Sequence, residues 1–292
     1  KGSGEWAIAY GWDPAILRDL EAPTLKELDQ MAPENPLFII AQTLHSGFAN
    51  SLTFEAAGIT KDTPDPEGGY FDKDENGELT GLIVEVGAMA KIADATPKYP
   101  RAAYLYLLTK QMETYSKAGY TTIVAPGLQP LIPKHIQSLQ EVAEHPNAPV
   151  RVLTYPLFDR LEKTDFKPSE GNQKFKVQGP KFWIDGSPYA GGMAMNEPYL
   201  ENEFTRNKLG IKSGEKGHLT YDDERLFFLV NKFHKEGWQI AAHIQGERAA
   251  KQFLDAVEKA QQSFSRKDYR HRMEHNALVT SEQLKRAFKL GV

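Results

Sequence analysis

From residue 121 onward, short apolar or β-branched runs alternate with longer amphipathic stretches. The runs at 121–125, 150–155, 181–185, 238–243 and 272–276 predict strands. Helical patterns separate most of them. Residues 101–118 predict a long helix closed by Gly119, 133–144 a second, 220–236 a third capped by Thr220 and ended by Gly237, and 247–262 a fourth. A last helix, 281–290, ends at Gly291. Apolar strands alternating with helices predict a parallel sheet covered by helices, either doubly wound or closed as a (β/α)8 barrel. No glycine-rich dinucleotide fingerprint follows any strand, which favours the barrel.

Before residue 95 the pattern changes. Thr24-Leu-Lys-Glu27 is a capping box, 37–41 a strand, and 49–57 a helix stopped by Gly58. Segments 69–72 and 78–84 flank an Asn76-Gly77 turn and predict a hairpin. The expected organisation is a small α/β subdomain over 1–95 and a partial barrel over 96–292. The stretch 189–217, rich in Gly, Asn, Lys and Glu, is a long connection with the length of a substrate loop or a surface loop.

Composition narrows the partners. With 292 residues, 40% of them hydrophobic and 25% charged, the chain has ordinary globular make-up. A net charge of -4 with no local Lys/Arg cluster supplies no field for nucleic acid. No run approaches the roughly 20 apolar residues of a spanning helix, so no membrane partner is expected. The absence of cysteine leaves His, carboxylate or modified Lys as the only metal ligands. A soluble protein is expected, with the cytoplasm favoured and export left open because the chain starts at Lys1.

Candidate chemistry sits at strand exits. His243 ends one predicted strand just before Ile-Gln-Gly and a helix, and His275 takes the same place roughly 30 residues later, one strand–helix unit on. Each read alone is a core histidine, but two imidazoles from neighbouring strands can share one metal. Lys181 alone reads as an edge lysine. Asp185 reads either as a turn carboxylate that bonds backbone amides or as a group that orients a ligand or substrate. Glu274 alternates with His275 along its strand and is expected to face away in a salt bridge. His271 and Arg272 are expected at the surface or behind the ligands. His45 is either a loop histidine or a substrate contact, and Glu247 suits a helix N-terminus without further function. His135, His145, His218 and His234 read as ordinary helix or loop residues.

Gly119-Tyr-Thr-Thr-Ile-Val124, Lys181-Phe-Trp-Ile-Asp-Gly-Ser187, His243-Ile-Gln-Gly-Glu-Arg-Ala249 and His271-Arg-Met-Glu-His-Asn276 together resemble the YtcJ-like branch of the amidohydrolase superfamily. So do Gly11-Trp-Asp13, His45 with Asn50-Ser51, and Ala57-Gly-Ile-Thr60 with Pro64-Asp-Pro-Glu-Gly-Gly69. The resemblance implies an incomplete (β/α)8 TIM-type barrel, about strands two to six, with a small α/β subdomain inserted. It also implies one or two divalent metal ions, zinc by family habit, held by Lys181, His243 and His275, with Lys181 carboxylated. The implied activity is metal-dependent hydrolysis of amide-like C–N bonds in a small-molecule substrate. The family's His-x-His pair is missing, and its catalytic aspartate would lie beyond Val292. The expectation is therefore a fragment of a hydrolase that is inactive alone, binds metal weakly, and self-associates through open strand edges. An alternative is a non-catalytic regulatory or interaction protein on the same scaffold. A glycosidase built on Asp185 and Glu274 ranks last, because Glu274 is expected to face away.

Overall fold

Antiparallel pairing dominates the first third of the chain and parallel pairing the rest. The computed structural model describes residues 2–13, 21–98, 100–127, 135–168 and 170–292. They divide into two units: 1–97 with 185–220 and 245–249, and 98–184 with 221–244 and 250–292.

In the first unit, β1 (Ala7–Trp12), α1 (Leu25–Met31), β2 (Leu37–Ala41), β3 (Ser46–Ala49), α2 (Ser51–Ala56), β4 (Tyr70–Lys73), β5 (Leu79–Val84) and α3 (Glu85–Ala95) follow in order. The sheet runs β1-β2-β3-β5-β4, with β1 and β2 parallel and the other pairs antiparallel. The Thr24–Glu27 capping box opens α1 as its sequence predicts. Asn50 caps α2 from a buried position. Its Oδ1 accepts from Thr53 N and Leu37 N, while Nδ2 donates to the carbonyls of Ala32 and Asn35. One side chain thus ties a helix start to a strand and a turn. The β4–β5 hairpin turns at Gly77, whose φ of +81° explains the glycine. One sheet face packs on α2 and α3 through Phe38, Phe54, Phe71, Ile83, Met89 and Ile92; the other packs on α1 through Leu28, Leu37 and Phe48.

β3 and α3 have no clear sequence signal. Ser46-Gly-Phe-Ala49 lacks β-branched residues and is held by ladders to β2 and β5 on both sides. The 185–220 segment is ordered rather than loose. It contains a 3-10 turn at Pro188–Ala190 and a π turn at Phe204–Lys208, and it buries Met193, Ala194, Met195 and Ile211.

The second unit contains α4 (Arg101–Lys117), β6 (Thr122–Pro126), α5 (His135–Glu144), β7 (Arg151–Tyr155), α6 (Phe158–Leu161), β8 (Phe175–Val177), β9 (Lys181–Trp183), α7 (Asp223–Lys235), β10 (Ala241–Ile244), α8 (Glu247–Ser263, its first three residues in the first unit), β11 (Arg272–His275) and α9 (Ser281–Leu290). The strand ladders among the described residues are parallel, β6-β7-β8 and β9-β10-β11, with one isolated antiparallel bridge between Gly171 and Lys176. Lys181 N donates to Pro156 O, and Leu157 bridges Lys181 in parallel, so β8 and β9 continue one line between β7 and β10. The line breaks at Gly179, where a Cβ would lie 1.8 Å from Gln239 O. This is an α/β architecture, and no closed barrel forms among the described residues.

The helix start expected at Thr220 moves to Asp222, whose carboxylate accepts from Arg225 N; both residue types cap well, and the aspartate lies where the helix begins. The start expected at residue 133 lies outside the described residues. Phe182 of β9 stacks on Phe158 at a centroid distance of 5.1 Å and meets Phe233 edge-on at 5.8 Å. No helix among the described residues is long and apolar enough to cross a membrane.

Candidate functional site

Strand register decides which side chains meet. Lys181 and Arg272 both pair with Ala241, and Trp183 and Glu274 both pair with His243. In a parallel sheet, partners in register share a face, so Lys181, Trp183, His243, Arg272 and Glu274 line one side of β9-β10-β11. His275 pairs with Ile244 and would face the other way. Its φ of +75° breaks the pleat, and its ring ends 4.6 Å from that of His243. A left-handed backbone at a non-glycine residue costs about 1–2 kcal/mol, so the meeting of the two imidazoles is held against strain.

Lys181 is buried, with 2% of its surface exposed. Its Nζ lies 5.2 Å from the centre of the Trp183 ring, and no carboxylate among the described residues reaches ion-pair distance of it. Desolvation lowers its pKa to about 8, opposed by the charge of Glu274 and reinforced by that of Arg272. Gly127 closes the cluster from the end of β6: a Cβ there would lie 3.2 Å from Lys181 Cγ and 3.3 Å from the Trp183 ring, and its φ is +70°. His243 is buried with its ring 4.7 Å from Trp183, whereas His275 is exposed.

Arg272 holds Glu274 through Nε and Oε1 at 2.8 Å and lays its guanidinium 5.5 Å from the centre of the Tyr155 ring. The expected Glu274 salt bridge is present. The expectation that Glu274 turns away from the site residues fails, because its register partner is His243 and not Ile244.

The other two candidates lie in the first unit. Asp185 is buried, and its oxygens accept from the backbone amides of Ala194, Gln245 and Gly246 at 2.8–3.2 Å. It thereby stitches three loop positions together. Burial raises its pKa to about 6 despite those bonds. His45 Nδ1 lies 2.6 Å from Glu85 Oε2. Glu85 is a residue that the sequence reading missed. It is 2% exposed, has φ +67°, and accepts from Ser187 N through Oε1 at 2.7 Å. Gly186 and Gly192 leave no room for a Cβ against that same oxygen. The available signal was a lone carboxylate closing the apolar run Leu82-Ile-Val84.

His271, expected at the surface or behind the ligands, and His234, expected to be ordinary, are both buried and bonded to each other. Ile240 N donates to His271 Nδ1, so the proton sits on Nε2 and is donated to His234 Nδ1; His234 Nε2 then donates to Phe264 O. Protonating either ring would set two N–H groups face to face. Desolvation, with His234 and Arg266 adding to it, pushes His271 down to about 3.

Among the described residues no three His, Asp or Glu side chains gather as a metal cage. The donor set on β9-β10-β11 is two imidazoles and one buried amine. Such a set suits a borderline divalent ion only if the lysine supplies an oxygen, as a carbamate would.

The profile of the Amidohydrolase family matches residues 1–292. The chain is 26% identical over 99% of its length to the amidohydrolase YtcJ of Bacillus subtilis (strain 168), covering 52% of that protein. It is 32% identical over 41% of its length to an N-substituted formamide deformylase of Arthrobacter pascens, covering 23% of that protein. The crystal structure of a metal-dependent hydrolase from Pyrococcus horikoshii superposes on the whole chain with a TM-score of 0.65 at 23% identity, and the chain covers 54% of it. The chain thus spans about half the length of the first of these relatives and of that structure.

Proposed function

The chain belongs to the Amidohydrolase family, and on that premise we propose that the protein it represents is a metal-dependent hydrolase of amide-like C–N bonds in small molecules. In this reading β6 to β11 supply about strands two to six of a (β/α)8 barrel. Lys181, His243 and His275 would hold one or two divalent ions, zinc fitting the donors best. A bound ion supplies a nucleophilic water at neutral pH and polarises the substrate carbonyl. The observation that carries the reading is the 4.6 Å approach of the two imidazoles beside a buried lysine. The deformylase relative, which by its name cleaves a C–N bond, favours the amide class.

The chain's own residues have definable tasks. At a pKa of about 8, roughly a tenth of Lys181 is neutral at pH 7. The neutral amine adds to carbon dioxide, forming an N–C bond and releasing one proton, and gives a carbamate oxygen where an ammonium stood. Arg272 beside Glu274 supplies a cation on the same face to balance that new negative charge. Trp183 and Gly127 confine the lysine stem, so the group formed on it has one direction to point.

No residue of this chain is assigned as proton acceptor for the hydrolytic step, and the isolated chain is expected to be inactive. The test is amine release from N-substituted amides by the full-length gene product. Activity lost both on chelation and in His243→Ala supports the proposal; turnover unaffected by either contradicts it.

A further inference from the structure

α1 has only seven residues, so it covers about 10 Å of the sheet face beneath it. Phe48 and Leu82 lie opposite each other in the β3–β5 ladder, as do Ser46 and Val84, so all four share that face. Leu28 of α1 packs on the Phe48 and Leu82 end. Beyond it, over Ser46 and Val84, the first unit holds a cavity of about 460 Å³. Loop residues including Tyr189, Ala190 and Leu209 line its other side, all within the same unit.

We propose that this cavity is a binding site for an uncharged small molecule with an aromatic body and a short polar arm. The proposal does not depend on the metal reading, since Lys181, His243 and His275 are not among the residues lining the cavity. The volume falls within the range of ligand pockets and exceeds what a single benzene ring needs. Aromatic faces supply the recognition. Trp12 meets Phe48 edge-on at 5.2 Å and 65°, and Tyr70 adds a third ring to the lining. Burial and the neighbouring carboxylates push the Tyr70 hydroxyl up to about 12, so it presents a neutral O–H at physiological pH. Asp13 and Lys208 border the cavity with opposite charges, and the carboxylates around Tyr70 add negative charge that disfavours an anion. Gln42 and Thr43 bring amide and hydroxyl groups that match a polar arm.

The test is calorimetric titration of the whole chain with indole-3-acetamide and with its charged counterpart indole-3-acetate. The amide is expected to bind with Kd below about 1 mM and the acid at least about tenfold more weakly. Ser46→Trp, which fills the cavity floor, is expected to weaken the amide by at least about tenfold. Should that variant fail to fold, Tyr189→Ala removes a ring from an exposed lining position and is expected to weaken it about threefold or more. His243→Ala is expected to leave amide binding unchanged, which separates this site from the metal cluster. No amide binding at about 1 mM, equal binding of the acid, unchanged binding in the folded cavity variants, or loss in His243→Ala would each overturn the proposal.

Discussion

Lys181 and Asp185 lie four residues apart and are both almost fully buried, yet they keep opposite company. Asp185 has its oxygens filled by three backbone amides and so acts as a fastening. Lys181 has a ring face, a same-face carboxylate beyond ion-pair reach, and two imidazoles on the next two strands of its sheet. Burial shifts both toward their neutral forms. A buried ionisable group whose bonds are complete holds a fold together, whereas one left short of partners costs stability and is open to new chemistry.

The sharpest way to break this comparison is to remove each group. Asp185→Ala strands two buried N–H groups and a half-buried one, each costing about 1–3 kcal/mol, and is expected to lose about 3–5 kcal/mol in urea unfolding. Lys181→Met is expected to hold stability or raise it, because a buried ammonium leaves with its desolvation cost. Equal losses in the two variants would end the distinction.

Acid titration separates the groups again. The folded pKa of His271, about 3, lies below its unfolded value of 6.5, so its contribution is complete above pH 6.5 and is lost as pH falls toward 3. That of Asp185 is raised from 3.8 to about 6, so its contribution is complete below pH 3.8 and is lost as pH rises to 6. Between about pH 4 and 6 the two oppose each other, on the order of 5 and 3 kcal/mol in full. His271→Asn is therefore expected to lower the slope of stability against pH in that window, read from melts at stepped pH. An unchanged slope would show that the histidine pair titrates freely.

A smaller effect tests the shared face. Glu274→Gln removes the charge that helps keep Lys181 protonated, so the lysine pKa is expected to fall further. NMR titration of the lysine Nζ, labelled with nitrogen-15, reads the shift directly; no change would place Glu274 outside the site.

Much of this was legible in the residues. Apolar runs alternating with amphipathic stretches gave the parallel strands, because a strand buried on both faces needs unbroken apolar character. The caps at Thr24 and Gly291 could be read because each supplies a local bond or a backbone angle that few residues provide. What could not be read depended on pairing at a distance. β3 and β8 exist through their ladders. Glu274 shares a face with Lys181 only through a register that no single segment encodes. His275 reaches His243 by a left-handed residue that strand periodicity forbids, so the two rings meet by a geometry the strand pattern does not contain. Glu85 was missed because its partners, His45 and Ser187, are remote in sequence.

The central claim is that Lys181, His243 and His275 form a divalent-metal cluster, and zinc titration by calorimetry, with and without bicarbonate, tests it most directly. The account predicts one weak site that tightens at least about tenfold with bicarbonate, loses that gain in Lys181→Met, and disappears in a His243→Ala/His275→Ala double variant. Zinc binding that is indifferent to bicarbonate and unchanged in the double variant would contradict it.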